Sequence, residues 1–280
     1  MCRKCLINRD DIVPDTAELA TEILRSRSEQ RQIPLITTRP GGLSLDQAYR
    51  VSALIEDART RQGERPLGRK IGFTNRTIWQ EFNVSAPIVG TMYDSTVRPL
   101  GAPLDAGSLM EPRIEPEIAF QLAAPPRPGM TPAELIGCVS SICAGFEMVH
   151  SIYKDWRFSG ADTVAAFGLH GAFLHGPMRD LPPAEQLDWI ARLSTFRTTL
   201  CRNGTVADQG HATNVLGGGP LVALGHLVDL LAGMPDAVPL KAGDLVTTGT
   251  LTRALPVCPG EAWQACFDGL PLAAIEIELV

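Results

Sequence analysis

Two glutamates, Glu115 and Glu117, stand two residues apart in the segment Arg113-Ile114-Glu115-Pro116-Glu117-Ile118-Ala119-Phe120. Successive side chains of a β-strand point to opposite faces, so a strand here presents both carboxylates on one face and apolar residues on the other. Two carboxylates in a partly buried site repel each other, and a hard divalent cation with oxygen ligands compensates their charge. On this spacing alone the more ordinary interpretation is the solvated face of an edge strand, with Pro116 marking the edge.

A third carboxylate, Glu147, lies inside the apolar run Ala144-Gly145-Phe146-Glu147-Met148-Val149. An unpaired carboxylate is costly to bury in such a run. Completion of an octahedral oxygen site, with water and substrate in the open positions, is one physical reason to keep it there. The alternative is a buried glutamate that is paired with an arginine.

Lys70 is one of only four lysines, the others being Lys4, Lys154 and Lys241. It lies in the strand-like segment Leu67-Gly68-Arg69-Lys70-Ile71-Gly72-Phe73-Thr74, where glycines allow a ligand to approach the backbone closely. Near a cation and away from water the ammonium form is disfavoured, so Lys70 could donate or accept protons near neutral pH. Without further context, a surface lysine on a strand is the more ordinary interpretation.

The elements that must position these residues are mainly strands. Asp15 precedes an apolar helical pattern over 16–28, Ser44 and Gln47 open a second helix that stops at Gly63, Thr131 begins a third, and a fourth is predicted over 220–232. The first two helices predict a cap or an oligomerisation element. Strands outnumber helices and do not alternate strictly with them, which predicts an α+β fold. The predicted strands are Leu67–Thr74, Ile88–Tyr93, Arg113–Leu122, Phe146–Ser151, Thr195–Cys201, Asp244–Thr250, Trp263–Phe267 and Leu272–Leu279.

Composition excludes several classes of protein. The chain has 280 residues, a formal net charge of −6 and 45% hydrophobic residues, without a run of about 18 apolar residues that would span a membrane. The sequence has no basic cluster that would indicate a nucleic-acid partner. We expect residues 1–15 to form a charged tail without a signal peptide. The seven cysteines do not form a disulfide pattern, so we expect a reducing cytoplasm, and Cys2 and Cys5 are expected to lie in a disordered terminus.

The order and spacing of several blocks resemble the 2-keto-4-pentenoate hydratase and 4-oxalocrotonate decarboxylase family of the fumarylacetoacetate hydrolase superfamily, over roughly residues 16–280. The blocks are Gly68-Arg69-Lys70-Ile71-Gly72-Phe73-Thr74, Pro87-Ile88-Val89-Gly90, the segments around Glu115, Glu117 and Glu147, and Lys241-Ala242-Gly243-Asp244-Leu245-Val246-Thr247-Thr248-Gly249-Thr250. The resemblance implies a mixed β-roll core with an N-terminal helical cap, and an oligomer. We therefore expect a tail and helical cap over residues 1–66 and a catalytic mixed-β domain over 67–280.

The same resemblance implies a Mg²⁺ or Mn²⁺ site and an acid/base group: Glu115, Glu117 and Glu147 for the metal, and Lys70 for the proton. One departure concerns the residues after Asp162-Thr163-Val164-Ala165, where the family usually carries Asp-Asn and this chain has Ala166-Phe167. The change predicts a different pocket polarity or water position, and His170 is a candidate for a polar role there. Asp94 is a candidate second proton-transfer carboxylate. Structural loop or turn roles are the alternatives for both.

The predicted function is that of a metal-dependent lyase on a small unsaturated 2-oxo acid from aromatic degradation, most simply hydration of a 2-hydroxydienoate. Decarboxylation of a 2-oxo-dioate is the closest alternative, because both reactions develop the same enolate charge. Hydrolysis of an acylpyruvate is a third, although no clear water-activating His–Glu arrangement is evident in the sequence. From a different class, the chain could be a non-catalytic subunit that binds a related lyase.

Overall fold

The computed structural model describes residues 15–80 and 84–280. The Cys2/Cys5 motif and the predicted tail, apart from Asp15, lie outside the described residues. Among the residues that are described, no helix combines the length and the apolar character that a membrane crossing requires.

Side-chain caps fix where most of the helices begin. The Asp15 carboxylate accepts from the first backbone N–H groups of α1, and Ser44 and Thr131 form reciprocal capping boxes with Gln47 and Glu134. A further capping box, at Ser159, was not among the predicted helix starts. The helices are α1 Thr16–Ser28, α2 Leu45–Arg61, α3 Pro132–Gly137, α4 Gly160–Ala165, α5 Gln186–Thr195 and α6 Pro220–Ala232.

The strands form two sheets, and the α+β fold class is confirmed. The strands are β1 Pro66–Gly72, β2 Ile88–Tyr93, β3 Val97–Pro99, β4 Arg113–Leu122, β5 Val139–Val149, β6 His170–His175, β7 Arg179–Asp180, β8 Arg197–Arg202, β9 Thr205–His211, β10 Leu245–Thr247, β11 Leu255–Pro256, β12 Ala262–Asp268 and β13 Ile275–Glu278. Within the described residues, the larger sheet has the order β2-β1-β10-β4-β5-β6-β3, with β11 beside β4 and β7 beside β5. The smaller sheet has the order β13-β12-β8-β9.

The larger sheet is curled. Its two end strands in that order, β2 and β3, are joined by only the turn 94–96, so the ends of the sheet must come close together. Side chains on the concave face of β1, β4, β5 and β6 therefore converge on one interior. This curl is what allows strands that are far apart in the sheet order to build one site.

Strand β4 is central and not an edge. It pairs with β5 along one side and with β10 and β11 on the other, which excludes the solvated-edge interpretation of Glu115 and Glu117. Pro116 fits because it lies between the β10 and β11 pairings, where its missing N–H costs no ladder hydrogen bond. Its carbonyl accepts from the backbone N–H of Leu251 instead.

Two large hydrophobic clusters hold the architecture. One lies between the two sheets and α3, α5 and α6, and includes Phe120, Phe146 and Trp263. The other joins α1 and α2 to residues after β5, with Ile23 and Val51 packed in one cluster with Val164. The division into 1–66 and 67–280 stays a prediction, since β1 begins at Pro66 while the second cluster draws residues from both sides of it.

Candidate metal centre

The register of β4 against β5 brings the three predicted acidic side chains together. Glu115 lies directly opposite Glu147, and Glu117 lies opposite Gly145 on the same face. One carboxylate oxygen from each glutamate lies within 4.8 Å of the others. Glu117 and Glu147 are fully buried. The antiparallel pairing of two strands is thus sufficient to make a compact triad of oxygen donors.

The hydrogen bonds leave one oxygen of each buried glutamate without a protein donor. Glu117 accepts the backbone N–H of Gly249 at 2.8 Å through Oε2, and its Oε1 accepts no hydrogen bond. Glu147 contacts the His170 ring through Oε1 at 2.8 Å, and its Oε2 accepts no hydrogen bond although it lies 3.3 Å from the Lys70 ammonium. Buried carboxylate oxygens that are oriented by one partner and open on the other side suit a hard divalent cation. The residues present therefore fit Mg²⁺ or Mn²⁺.

The charges in the triad are strongly interdependent. Burial raises the pKa of Glu115 to about 7, assisted by the charge of Glu147, and burial with the charges of the neighbouring carboxylates raises the pKa of Glu117 well above its usual range. Burial alone would also raise the pKa of Glu147, but the ammonium of Lys70 and the hydrogen bond to His170 lower it to about 2. Burial disfavours the charged form of Lys70 and by itself would lower its pKa, but attraction to the three carboxylates raises the pKa. Without a cation the site therefore favours one ammonium–carboxylate pair and protons on the remaining carboxylates.

Lys70 reaches this triad from β1 through a space kept free by glycines. Its Nζ donates to the carbonyl of Gly168 at 2.9 Å, and the residue is 3% exposed. A Cβ at Gly90 would lie 2.8 Å from the carbonyl oxygen of Phe167 and 3.1 Å from the Lys70 side chain. Phe167, Gly168 and Leu169 all have a positive φ, which is strained for the two non-glycine residues. A strained turn thus supplies the carbonyl that holds the lysine.

His170 lies behind the triad and orients Glu147. Its Nδ1 contacts Glu147 at 2.8 Å and its Nε2 contacts the Thr96 hydroxyl at 2.9 Å. Burial lowers the pKa of His170, although the carboxylate opposes this shift. The neutral ring satisfies both contacts if Nδ1–H donates to Glu147 and Nε2 accepts from Thr96. His170 is therefore placed to orient Glu147 within the triad, with both of its ring nitrogens engaged.

Two predicted features lie elsewhere. Asp94 lies in the turn after β2. It accepts hydrogen bonds from the backbone N–H of Arg65 at 3.0 Å and from the Nε–H of the same arginine at 2.8 Å, and the structure does not bring Asp94 to the triad. Its pKa is lowered by the hydrogen bonds from Arg65. The catalytic role of Asp94 stays a prediction.

Phe167 does not face the pocket: its ring packs 4.9 Å from the guanidinium carbon of Arg27.

The pocket in front of Lys70 and Glu115 has a mostly apolar wall. The residues that form it come from the end of β1 and the loop after it, the start of β2, the end of β5, Trp156, residues 168–169 and the segment 249–254. Principal apolar residues of the wall are Phe73, Ile78, Ile88, Val149, Trp156 and Leu169. The pocket thus has a charged end at the triad and an apolar enclosure beyond it.

Thr96 and the backbone groups of Gly168 and Gly249 also contact the candidate site, and no sequence motif pointed to them. Gly249 lies within the predicted block 241–250, and a Cβ there would meet the Thr74 side chain at 1.8 Å, so a glycine at this position signals close packing. Thr96 had no local signal. Its contact with His170 follows from the parallel pairing of β3 with β6, which joins residues more than seventy positions apart.

Comparisons with known proteins agree with this geometry. No protein-family model matches the chain. The chain is 32% identical over 260 residues to the 2-keto-4-pentenoate hydratase of Burkholderia vietnamiensis, covering 91% of this chain and 94% of that protein. It is 30% identical to the 2-hydroxyhexa-2,4-dienoate hydratase of Comamonas testosteroni over 89% of this chain and 92% of the relative. The structure of a 4-oxalocrotonate decarboxylase from Pseudomonas putida G7, complexed with magnesium and adipate, superposes with a TM-score of 0.85 at 26% identity over 95% of this chain and 97% of that one.

Proposed function

Because the chain belongs to the family of 2-keto-4-pentenoate hydratases and 4-oxalocrotonate decarboxylases, we propose that it is a divalent-metal-dependent lyase that adds water to a small 2-hydroxydienoate. The observation that carries the proposal is the triad of half-buried Glu115 with buried Glu117 and Glu147, with oxygens within 4.8 Å and the Lys70 ammonium 3.3 Å from one of them. Such a triad holds a Mg²⁺ or Mn²⁺ ion and leaves coordination positions for a 2-oxo acid.

The metal, when bound, supplies Lewis-acid stabilisation of negative charge that develops on the 2-oxo group. Lys70 is the proton donor: its Nζ–H groups face the triad and pocket, and it transfers a proton to C5 of the dienol while the 2-hydroxyl loses its own proton, which restores the ammonium and leaves a 2-oxo-3-enoate. Water then adds across the remaining activated double bond and gives a 4-hydroxy-2-oxo acid. Gly249 and His170 hold Glu117 and Glu147 in place during these steps.

The test is ultraviolet absorbance of 2-hydroxypenta-2,4-dienoate with the purified protein and Mg²⁺ or Mn²⁺. We expect the absorbance of the diene to fall and a 4-hydroxy-2-oxo acid to form. The variant Glu117→Gln should abolish the change, while Glu276→Gln, which alters an exposed glutamate of β13, should leave it intact. An unchanged absorbance with every 2-hydroxydienoate tried refutes the proposal.

Decarboxylation is the second candidate, favoured by the TM-score of 0.85 to a decarboxylase structure. Release of carbon dioxide from 2-oxo-hex-3-ene-dioate separates the two reactions. Acylpyruvate hydrolysis is less well supported, because both ring nitrogens of His170 are engaged with Glu147 and Thr96 and the residue is fully buried, so the ring has no open nitrogen to activate water. The non-catalytic subunit is tested by metal titration of the isolated protein.

We also propose that the chain forms a homo-oligomer. The support for this is the sequence resemblance, which implies an oligomer. Sedimentation of the purified protein tests this, and co-purification with a related lyase would instead indicate a mixed complex.

The described cysteines are free thiols, which supports the proposed location in a reducing cytoplasm.

A further inference from the structure

Three hydrogen-bond donors without acceptors lie between the first two helices and the larger sheet. They belong to Arg27 of α1, Arg59 of α2 and His150, which directly follows β5. Arg27 Nη1, Arg59 Nη1 and His150 Nε2 are buried, and none of them has a hydrogen-bond partner among the described residues. Buried polar atoms are usually hydrogen-bonded, so three orphaned nitrogens on neighbouring elements indicate a missing acceptor.

Arg59 is hydrogen-bonded along one edge of its guanidinium. Its Nε and Nη2 donate to the two carboxylate oxygens of Glu64 at 2.8 and 2.6 Å. Its guanidinium carbon lies 3.7 Å from the centre of the Tyr93 ring, and the side chain is 5% exposed. Glu64 thus compensates the charge of Arg59 and leaves the Nη1 edge without an acceptor.

Arg27 adds a second guanidinium that shares the same carboxylate. Its guanidinium carbon packs 4.9 Å from the centre of the Phe167 ring. Burial lowers the pKa of Arg27 to about 10, assisted by repulsion from Arg59, and the charge of Glu64 opposes this shift. Because Glu64 is already paired with Arg59, the group of two arginines and one glutamate carries one surplus positive charge. A surplus charge is costly to bury unless an opposite charge compensates it.

His150 supplies the third donor. Its Nδ1 accepts the backbone N–H of Met110 at 3.5 Å, so the proton of the neutral ring lies on Nε2. Burial lowers the pKa of His150 to about 3, assisted by the charge of Arg27, which keeps the ring neutral. Such effects act between nearby groups, so Arg27 lies close to both Arg59 and His150.

We propose that Arg27, Arg59 and His150 bind one small inorganic anion, of which chloride is the simplest. An anion accepts hydrogen bonds from the orphaned donors and also compensates the surplus positive charge. A water molecule is a poorer occupant, because it carries no charge and its own hydrogens need acceptors that the three donors do not offer.

The position of the cluster favours an inorganic ion over an organic acid. Gly168 and Leu169 line the pocket in front of the triad, whereas Phe167 and Arg27 do not. A 2-oxo acid in that pocket is therefore separated from the cluster by the turn 167–169. The three donor atoms are also buried, which suits an ion that has no hydrocarbon chain.

Diffraction from crystals soaked in sodium bromide locates the ion directly, since bromide replaces chloride and gives an anomalous signal. We expect a bromide peak in contact with Arg27 and with at least one of the other two donors. A cluster without a bromide peak overturns the inference.

Urea unfolding of the full chain tests the same site in solution. The unfolding midpoint is measured in sodium chloride and in sodium gluconate at equal ionic strength, because gluconate is too large for a buried cluster. We expect the midpoint to rise with chloride concentration above its value in gluconate, since a ligand that binds only the folded state stabilises it. Equal midpoints in the two salts at every concentration contradict the proposed site.

Arg27→Met and Arg25→Met separate a bound ion from a general effect of salt. Arg25 lies on the same helix, is 68% exposed and pairs with Glu29, so it is the matched control. The difference between chloride and gluconate should vanish in Arg27→Met and persist in Arg25→Met. A difference that Arg27→Met retains in full refutes the assignment of Arg27.

His150→Phe removes one donor without changing the charge, and it serves as the test variant if Arg27→Met does not fold. It should weaken the apparent affinity for chloride by about 10-fold or more, the usual contribution of a hydrogen bond to a charged group. An unchanged affinity excludes His150 from the site as proposed. None of these measurements uses turnover, so their outcome is independent of the proposed hydration.

Discussion

Replacement of Lys70 by methionine tests the predicted proton donor and the electrostatic balance of the site together. The Nζ lies 3.3 Å from Glu147 Oε2, in a side chain that is 4% exposed. With an effective dielectric constant of about 20, a charge pair at this distance attracts by about 5 kcal/mol. Removal of one partner from a buried pair destabilises proteins by about 3–5 kcal/mol, because the other charge stays buried.

Two results are therefore expected from Lys70→Met. The kcat for hydration should fall by about 10²–10⁴-fold, the usual contribution of a positioned proton donor. The metal-free variant should lose about 3–5 kcal/mol in the free energy of unfolding, and saturating Mg²⁺ should restore part of it, since a bound cation again compensates the carboxylates. Urea unfolding with and without Mg²⁺ measures the second effect.

Lys241→Met is the matched control, since Lys241 is exposed and its side chain lies outside the pocket. It should keep the wild-type kcat and stability. The reasoning is refuted if Lys70→Met retains kcat within about 10-fold of wild type, below the range expected for a general acid. It is equally refuted if the metal-free variant is as stable as the wild type.

Further predictions concern the neighbours of this lysine. Because the pKa of Glu115 is raised to about 7 in the folded state, ionisation of Glu115 costs no stability below pH 4.5 and costs increasingly more as pH rises towards 7, so the free energy of unfolding of the metal-free Glu115→Gln variant should rise relative to wild type by about 3 kcal/mol between pH 4.5 and 8 in urea unfolding, and a constant difference would contradict this shift. His170→Phe should weaken Mg²⁺ binding about 10–100-fold in calorimetry while His170→Asn, which keeps a donor, should not; equal affinities would exclude the positioning role. Asp94→Asn should keep kcat within about threefold if the carboxylate only pairs with its arginine, as exposed pairs contribute little, whereas a 100-fold fall would establish the catalytic role. Gly90→Ala should lower kcat without loss of Mg²⁺ affinity, because the new Cβ displaces the lysine, and an unchanged kcat would show that this close packing is not required.

The acidic triad was predictable because its signals are local. Alternation along 113–120 puts Glu115 and Glu117 on one face, and Glu147 is conspicuous in an apolar run. What the sequence could not provide is the register: Glu115 lies opposite Glu147 only because of the way β4 pairs with β5, and a shift by one residue would turn one strand's carboxylates to the other face.

The partners of Lys70 and His170 needed the three-dimensional structure. The carbonyl of Gly168 reaches the lysine from a turn with three consecutive positive φ values, and neither Phe167 nor Leu169 is a residue type that predicts such a turn. Strand β6, which carries His170, has no simple apolar alternation and was not among the predicted strands. Likewise β5 begins at Val139, although the predicted strand began at Phe146. Its first residues were missed because apolar and polar residues alternate only weakly there.

Calorimetric titration of the metal-free protein with Mg²⁺ tests most directly whether Glu115, Glu117 and Glu147 together hold one divalent cation. We expect one Mg²⁺ per chain for the wild type and for Glu276→Gln. For Glu117→Gln we expect at least 100-fold weaker binding, or none. Wild-type protein that binds no Mg²⁺ or Mn²⁺, or a Glu117→Gln variant that binds as tightly as wild type, would contradict the account.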